Sequence, residues 1–181
     1  GKHILCEKPM ALDMQEAEDM VNVCDRAGVT LMIAHHLRYK ECNRKVKYMI
    51  DNGQLGKIST ARAQWSFNHT GLKPDTGWHI HKKLSGGGQI MNVNSHCIDL
   101  LCYLFGLAKK VSSFIQKNRY EEIEDVSIVM IEFKNGVIAT VQGSYFEEKT
   151  ENNLEIFGNK ASLIVTGACS TDNNGSIRIL P

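Results

Sequence analysis

Glu7, Lys8 and Pro9 form the first group of residues whose types and spacing suit acid–base chemistry. They directly follow residues 3–6, a short apolar run that predicts a buried strand. Ligands bind outside the carboxyl ends of strands in open parallel sheets, so Lys8 is well placed to meet one. Pro9 favours extended backbone at Lys8, and a lysine that loses its hydration gives up its proton readily. The alternative is an exposed lysine beside a glutamate in an ordinary loop.

Asn92, His96 and Asp99 form the second group, and they follow three consecutive glycines at residues 86–88. A helix that begins near Gln89 would place the three on one face, because they are spaced i, i+4 and i+7. The rest of this helix is apolar, so the polar side chains must meet protein partners or a polar cavity. The glycines allow a backbone or a ligand to approach the helix N-terminus closely. The alternative is a histidine satisfied within the core, with Asp99 bonded to backbone.

The first elements that must position these residues are a strand, a helix and a second strand. Asp13 and Glu16 are spaced as a capping box, and apolar residues recur at helical spacing until Gly28 ends the helix. Residues 29–34 are a second apolar run that is rich in strand-forming residues. A strand, a helix and a strand this close in sequence predict a right-handed βαβ unit of a parallel sheet.

The remainder of the chain predicts an α+β domain with a large, mostly antiparallel open sheet and helices on one face. Residues 134–136 and 158–160 are predicted hairpin connections, and strands joined by hairpins pair antiparallel. We predict a domain boundary between residues 1–35, the end of an α/β domain, and residues 36–181, with a ligand cleft between the two. The predicted helices cover residues 43–50 and 89–105, and the predicted strands cover residues 57–67, 111–116, 126–133, 137–145, 154–157 and 161–165.

The composition excludes several classes of protein. The 181 residues are 43% hydrophobic and 23% charged, which is typical of a globular protein rather than a disordered tail. The net charge of +1 predicts no nucleic-acid partner and no binding to an acidic membrane surface. No stretch approaches the roughly 18 consecutive apolar residues of a membrane-spanning helix. The six scattered cysteines are typical of reduced thiols in a cytoplasmic protein. The chain begins inside an apolar run without an initiator methionine, so we expect it to be a fragment of a longer protein.

The two groups of polar residues together resemble the motifs of a known family. A Glu-Lys-Pro after a parallel strand, followed in order by Gly-Gly-Gly-x-x-x-(Asp/Asn)-x-x-x-His-x-x-Asp, is similar to the Gfo/Idh/MocA family of glucose-fructose oxidoreductase and myo-inositol dehydrogenase. The resemblance implies that residues 1–35 are the C-terminal tail of a Rossmann-type dinucleotide-binding domain, with NAD or NADP as cofactor. It implies hydride transfer between the nicotinamide and a secondary hydroxyl or ketone of a sugar, cyclitol or related polyol. It also implies that residues 36–181 bind the substrate and form a homodimer or homotetramer through the sheet face.

The resemblance also implies roles for individual residues. The catalytic residues would be Lys8, His96 and Asn92, the cofactor would meet Glu7, Lys8, Pro9, His36 and Arg38, and the substrate would meet Lys8, Trp78, His79, Asn92 and His96. His79 stands where the family has arginine after the tryptophan, and Asn92 stands where many members have aspartate. Asparagine cannot accept a proton, but it can still hydrogen-bond a hydroxyl. The phosphate-binding pattern G-x-G-x-x-G does not occur, so these 181 residues alone are not expected to bind a dinucleotide well.

Two other functions fit parts of the pattern. Asn92, His79 and the missing glycine loop favour a catalytically inactive ligand-sensing or interaction module of the same fold. His79 and His81 would lie on one face of a strand and suit a metal ion, but no third ligand has diagnostic spacing, so we predict no metal site. Trp65 and Phe67 suit the apolar face of a sugar ring, although such side chains more often belong to a sheet core.

Overall fold

The computed structural model describes residues 1–69, 77–148, 150–172 and 175–181. Its first part is a parallel pair of strands, β1 (Ile4–Cys6) and β2 (Leu31–Ile33), joined by the helix α1 (Met14–Arg26). The Asp13 side chain accepts a hydrogen bond from the backbone N–H of Glu16 at 2.9 Å and so caps α1. The predicted succession of strand, helix and parallel strand is confirmed. The domain boundary after residue 35 stays a prediction.

The second part contains seven strands in one sheet. They are β3 (Ile58–Gln64), β4 (Ala108–Gln116), β5 (Val126–Phe133), β6 (Ile138–Ser144), β7 (Leu154–Gly158), β8 (Ser162–Thr166) and β9 (Ser176–Leu180). The strand order is β4-β5-β6-β3-β7-β8-β9, and neighbours pair antiparallel except β3 and β6, which pair parallel. Both predicted hairpins form, β5 with β6 and β7 with β8, so the prediction of a mostly antiparallel sheet is confirmed.

Two longer helices, α2 and α4, cover one face of this sheet. The helical segments are α2 (Glu41–Asp51), α3 (Lys82–Ser85) and α4 (Ser95–Phe105), with 3-10 turns at His36–Tyr39 and Trp78–Ile80 and a π-helical turn at Ile90–Asn94. Side chains of β5 alternate: Val129 and Ile131 are buried in one cluster with Leu100 of α4, whereas Ile128 and Met130 are exposed on the opposite face. Within the described ranges, no helix combines the length and the apolar content that crossing a membrane requires.

The prediction of one continuous α-helix over residues 89–105 is wrong for its first turn, which is π-helical. A buried ring of hydrogen bonds accounts for the difference. Gln89 Nε2 donates to Asn94 Oδ1 at 3.0 Å, Asn94 Nδ2 donates to Ser127 Oγ at 2.9 Å, and the Ser127 hydroxyl donates to Gln89 Oε1 at 2.8 Å. Gln89 and Asn94 are five residues apart, which is the spacing of residues joined by a backbone hydrogen bond in a π-helix. The ring ties the turn to β5 and fixes the start of α4.

Candidate active site

A cavity of about 770 Å³ lies where the first part of the chain meets the second. The carboxyl ends of β1 and β2, the π-helical turn with α4, and loops of the second part each contribute one side. The lining residues are Glu7, Lys8, Ala34, His36, Trp65, Phe67, Asn92, Val93, His96, Asn152, Ser170, Thr171 and Asp172. Five of the residues predicted from the sequence, Glu7, Lys8, His36, Asn92 and His96, therefore share one cavity, in the kind of place where small-molecule sites occur.

Lys8 connects the two sides of this cavity. Its Nζ donates hydrogen bonds to the backbone oxygen of Asn92 at 2.7 Å and to Asn92 Oδ1 at 3.1 Å. Burial lowers the pKa of Lys8 from its ordinary value, and the charge of Glu7 opposes this shift in part. A lysine with a lowered pKa exchanges its proton more readily, which suits general acid–base chemistry at a bound hydroxyl.

Asn92 is held in one orientation by partners on both sides. While Asn92 Oδ1 accepts from Lys8, Asn92 Nδ2 donates to the hydroxyl of Tyr145 at 3.0 Å. Tyr145 is 3% exposed, and burial raises the pKa of its hydroxyl, so the side chain stays a neutral phenol. Sequence reasoning missed Tyr145, because it lies 53 residues from Asn92 and carries no motif of its own. Its location directly after β6, the strand against the π-helical turn, is the signal that could have found it.

His96 lies between aromatic rings on the wall of the cavity. Its ring centroid is 4.8 Å from that of His36 and 5.1 Å from that of Trp65, and the residue is 5% exposed. Burial and, to a smaller degree, the charge of Lys8 lower the pKa of His96 to about 3. In the described part of the chain, no group hydrogen-bonds His96 Nδ1. A neutral imidazole with one buried nitrogen unsatisfied can orient a ligand hydroxyl by hydrogen bonding.

Asp99, the third residue of the polar helix face, binds Arg38 of the 3-10 turn His36–Tyr39 and does not belong to the described lining of the cavity. Arg38 donates to it twice, from Nε at 2.7 Å and from a terminal nitrogen at 2.5 Å, and its guanidinium lies 5.5 Å from the ring centre of Tyr103. The hydrogen bond to Asp99 raises the pKa of Arg38. His35 Nε2 lies 3.9 Å from the same carboxylate. Arg38 lies outside the described lining of the cavity, and its cofactor role stays a prediction.

Three further predicted residues, Pro9, Trp78 and His79, lie outside the described lining of the cavity. Pro9 follows a cis peptide bond from Lys8. Trp78 is 50% exposed, and its ring stacks on that of His79 with 3.7 Å between centroids. The charge of Lys8 contributes, after burial, to lowering the pKa of His79. Residues 70–76, which precede this pair, are outside the described ranges, and the substrate role of Trp78 and His79 stays a prediction.

Gly88, the last of the three glycines at residues 86–88, is explained by backbone packing. A Cβ added at Gly88 would lie 2.0 Å from the backbone oxygen of Glu124. The carboxylate of Glu124 accepts from the backbone N–H of Gly88 and of Ile90 at 3.0 Å each. A carboxylate of the protein therefore caps the start of the helix, where anions bind favourably. Of the two explanations left open by the sequence, close approach of a backbone is the one observed.

His79 and His81, the two histidines considered for a metal ion, contact different partners. His81 Nδ1 lies 3.2 Å from Glu122 Oε1, whereas His79 stacks on Trp78. Among the residues that the structure describes, no three histidine, cysteine, aspartate or glutamate side chains converge as metal ligands.

Comparisons with known proteins agree with both parts of the chain. A profile of the GFO/IDH/MocA C-terminal domain matches residues 43–164, and a profile of the oxidoreductase family with an NAD-binding Rossmann fold matches residues 1–35. The chain is 32% identical over 171 residues to the 1,5-anhydro-D-fructose reductase of Ensifer adhaerens, and the match covers 91% of this chain and 50% of that enzyme. The chain thus spans about half the length of the curated relatives it matches.

Solved structures show the same arrangement. The aldose-aldose oxidoreductase of Caulobacter crescentus, complexed with glycerol, superposes with a TM-score of 0.88 at 25% identity, covering 98% of this chain and 52% of that one. The WlbA dehydrogenase of Bordetella pertussis, in complex with NADH and UDP-GlcNAcA, superposes with a TM-score of 0.85 at 27% identity, covering 92% of this chain and 49% of that one.

Proposed function

Because the chain belongs to the Gfo/Idh/MocA oxidoreductase family, we propose that the protein carrying it transfers hydride between NAD or NADP and a secondary hydroxyl or ketone of a sugar, cyclitol or related polyol. The observation that carries the proposal is the bond between Lys8 Nζ and Asn92 Oδ1 in the cavity that His96 also lines. The similarity to a 1,5-anhydro-D-fructose reductase and to a dehydrogenase solved with NADH supports the substrate class and the cofactor.

The described residues fit the nicotinamide end of such a cofactor. Glu7, Lys8, Ala34 and His36 lie at the carboxyl ends of two parallel strands and border the cavity, at the edge where open sheets receive ligands. We assign this end to these residues together with Pro9. The bound nicotinamide supplies the hydride acceptor or donor. The chain's own contribution is to hold the reacting carbon in position and to control the proton.

Lys8 is the residue that we assign to the proton. In oxidation its neutral amine accepts the proton of the substrate hydroxyl, and in reduction its ammonium returns a proton to the substrate oxygen. Asn92 cannot take this proton, but it holds the amine through its side-chain oxygen. His96, with a pKa of about 3, is neutral at any working pH, so it orients the hydroxyl by hydrogen bonding.

The remaining walls of the cavity suit a polyol. Trp65 and Phe67 offer apolar surface to the C–H face of a sugar ring, and Trp65 packs against His96. We also assign Trp78 and His79 to the substrate side, as the resemblance to the family implies.

Exposed apolar side chains support self-association through the sheet. Phe114 of β4 is 73% exposed and lies opposite Ile128 of β5, which is 44% exposed. Met130 and Ile138 are 40% and 52% exposed on the same face. A patch of this kind on an open sheet is typical of an interface between subunits, so we propose a homodimer or homotetramer through it. The six cysteines are free thiols, which supports the expected cytoplasmic location.

The proposal is tested by turnover in the full-length protein that carries these residues. Reduction of NAD or NADP is followed by absorbance with D-glucose, myo-inositol and scyllo-inositol as substrates. Lys8→Met should lower kcat by about 10²- to 10⁴-fold, the usual contribution of a positioned acid–base group. His96→Gln should lower kcat/KM, while the matched surface variant Lys2→Met should retain wild-type kinetics.

Unchanged kinetics in Lys8→Met would overturn the assignment of the proton to this residue. Asn92 in place of aspartate favours one competing function, a ligand-sensing module without catalysis. Binding of NADH and of polyol by the wild type, without turnover of any substrate in either direction, would establish that function instead.

A further inference from the structure

Lys40 is a buried lysine whose ammonium faces backbone oxygens rather than a carboxylate. It follows the 3-10 turn His36–Tyr39, precedes α2, and is 8% exposed. Its Nζ donates to the backbone oxygen of Gly167 at 2.7 Å, to that of Ser170 at 3.0 Å and to that of Asp172, with Ser170 Oγ at 3.3 Å. An ammonium has three protons to donate, so these oxygens satisfy it fully.

The oxygens belong to one loop, residues 167–172, which follows β8. Asn43, in the first turn of α2, holds the same loop by donating from Nδ2 to the backbone oxygen of Ala168 at 3.1 Å. Ser170 Oγ donates to the backbone oxygen of Gly167 at 3.0 Å. Burying a charge is costly unless hydrogen bonds compensate it, so Lys40 and the loop oxygens favour a single arrangement of this backbone.

The other side of this loop lines the cavity. Ser170, Thr171 and Asp172 border the same space as Lys8 and His96. The hydroxyl of Thr171 and the carboxylate of Asp172 are hydrogen-bonding groups that match the hydroxyls of a polyol. The catalytic groups bind one hydroxyl, so the other hydroxyls of the substrate need hydrogen-bonding side chains elsewhere in the cavity.

We propose that Thr171 and Asp172 form the subsite for the non-reacting hydroxyls of the polyol, and that Lys40 is the residue that positions this subsite. The inference rests on the proposed function, which it deepens by assigning substrate selection to the loop. Lys40 does not touch the substrate. It acts by holding the backbone oxygens on one side of the loop, and this presents the side chains of Thr171 and Asp172 to the cavity.

The test compares a ring polyol with a minimal secondary alcohol. In the full-length protein, kcat/KM is measured for myo-inositol and for propan-2-ol, which has no further hydroxyls. Asp172→Ala should lower the ratio of kcat/KM for myo-inositol to kcat/KM for propan-2-ol about tenfold or more. This is the effect expected from losing a hydrogen bond to a charged group. Lys40→Met should lower the same ratio through KM for myo-inositol, with KM for the cofactor and kcat on propan-2-ol unchanged. Lys45→Met and Asp25→Ala, at exposed positions, are the matched controls.

Each outcome decides the inference. A ratio unchanged in Asp172→Ala, whose exposed position makes misfolding unimportant, overturns the subsite. If the ratio of kcat/KM for myo-inositol to that for propan-2-ol falls in Asp172→Ala but is unchanged in a folded Lys40→Met variant, the positioning role of Lys40 is overturned. If the wild type turns over no substrate, the proposed function has failed. Calorimetric titration with myo-inositol then tests the subsite by itself. Binding at least tenfold weaker in Asp172→Ala supports the subsite, and equal binding overturns it.

Discussion

Asn92 lies next to the amine that we assign to the proton, and its side chain brings no charge to that amine. A carboxamide 3.1 Å from Lys8 Nζ accepts a hydrogen bond without adding a negative charge. Burial therefore lowers the pKa of Lys8 with only Glu7 opposing it. A carboxylate at the same position would stabilise the ammonium and raise the pKa of Lys8.

Asn92→Asp should therefore shift the pH dependence of catalysis. Oxidation needs the neutral amine of Lys8, so kcat/KM for oxidation rises with pH through the pKa of Lys8 and should move to higher pH in the variant. Reduction needs the ammonium, so its decline at high pH should move the same way. We expect a shift of about one pH unit or more, from an opposite charge within hydrogen-bonding distance. Profiles of kcat/KM against pH measure this shift, and Asn22→Asp, on the exposed face of α1, is the control. Superimposable profiles for the wild type and Asn92→Asp would contradict the proposed effect of residue 92 on Lys8.

Local motifs explain which of these residues could be chosen from sequence. Lys8 is marked by the proline after it, and Asn92 and His96 are marked by helical spacing behind the glycines. Tyr145 and Lys40 carry no such mark, because their partners lie 53 and 127 to 132 residues away. A contact at that separation depends on the register of the whole sheet, which a local pattern does not contain.

The π-helical turn before α4, together with Gly88 and Gln89, is the element on which the geometry of the site depends most. Gly88 packs against the backbone of Glu124, and its oxygen accepts from the backbone N–H of Asn92 at 2.9 Å. Displacement of Gly88 would therefore displace the residue that holds Lys8. The turn has little freedom to adjust, since Gln89 is fully buried in the hydrogen-bonded ring with β5.

Gly88→Ala should destabilise the protein and impair catalysis together. The added methyl group would meet a backbone oxygen at 2.0 Å, and overpacking of this kind costs about 1–3 kcal/mol in the free energy of unfolding. Gly87→Ala is the matched control, because its methyl group meets the flexible side chain of Met91 instead. Urea denaturation and kcat measure the two effects. Equal unfolding free energies for the two variants would show that Glu124 yields and that the packing explanation is wrong.

The elements themselves were predictable to the extent that their signals are local. The cap at Asp13 and the turn residues 134–136 and 158–160 specify a helix start and two hairpins, and all three form. The parallel pairing of β3 with β6 was not predictable, because two strands and two helices separate them in sequence. The π-helical turn was missed because its apolar spacing resembles that of an α-helix, and it depends on a hydrogen-bonded ring with Ser127.

At the scale of the whole molecule, the cavity exists only because contacts from both parts hold its sides together. Lys8 bonds to Asn92, and His35 Nε2 lies 3.9 Å from the carboxylate of Asp99, so two of the three polar residues on this helical segment contact residues 1–35. Because neither a net charge of +1 nor the composition distinguishes such a cavity from an ordinary core, function could be inferred only from the order of motifs.

The outer face of the sheet, which carries exposed apolar side chains, provides the last prediction. Phe114 and Ile128 lie opposite each other on β4 and β5, and both are exposed, so both belong to the apolar patch. If this patch joins subunits, replacing both residues by lysine would bury two unpaired charges in the interface and weaken association by more than about 100-fold. The double variant of the full-length protein should then be monomeric by light scattering at concentrations where the wild type is oligomeric. Tyr48→Lys, at an exposed position on α2, should leave the mass unchanged. An unchanged mass in the double variant would mean that another surface joins the subunits. A monomer that retains kcat would show that the sheet face supports assembly independently of the cavity on the other side.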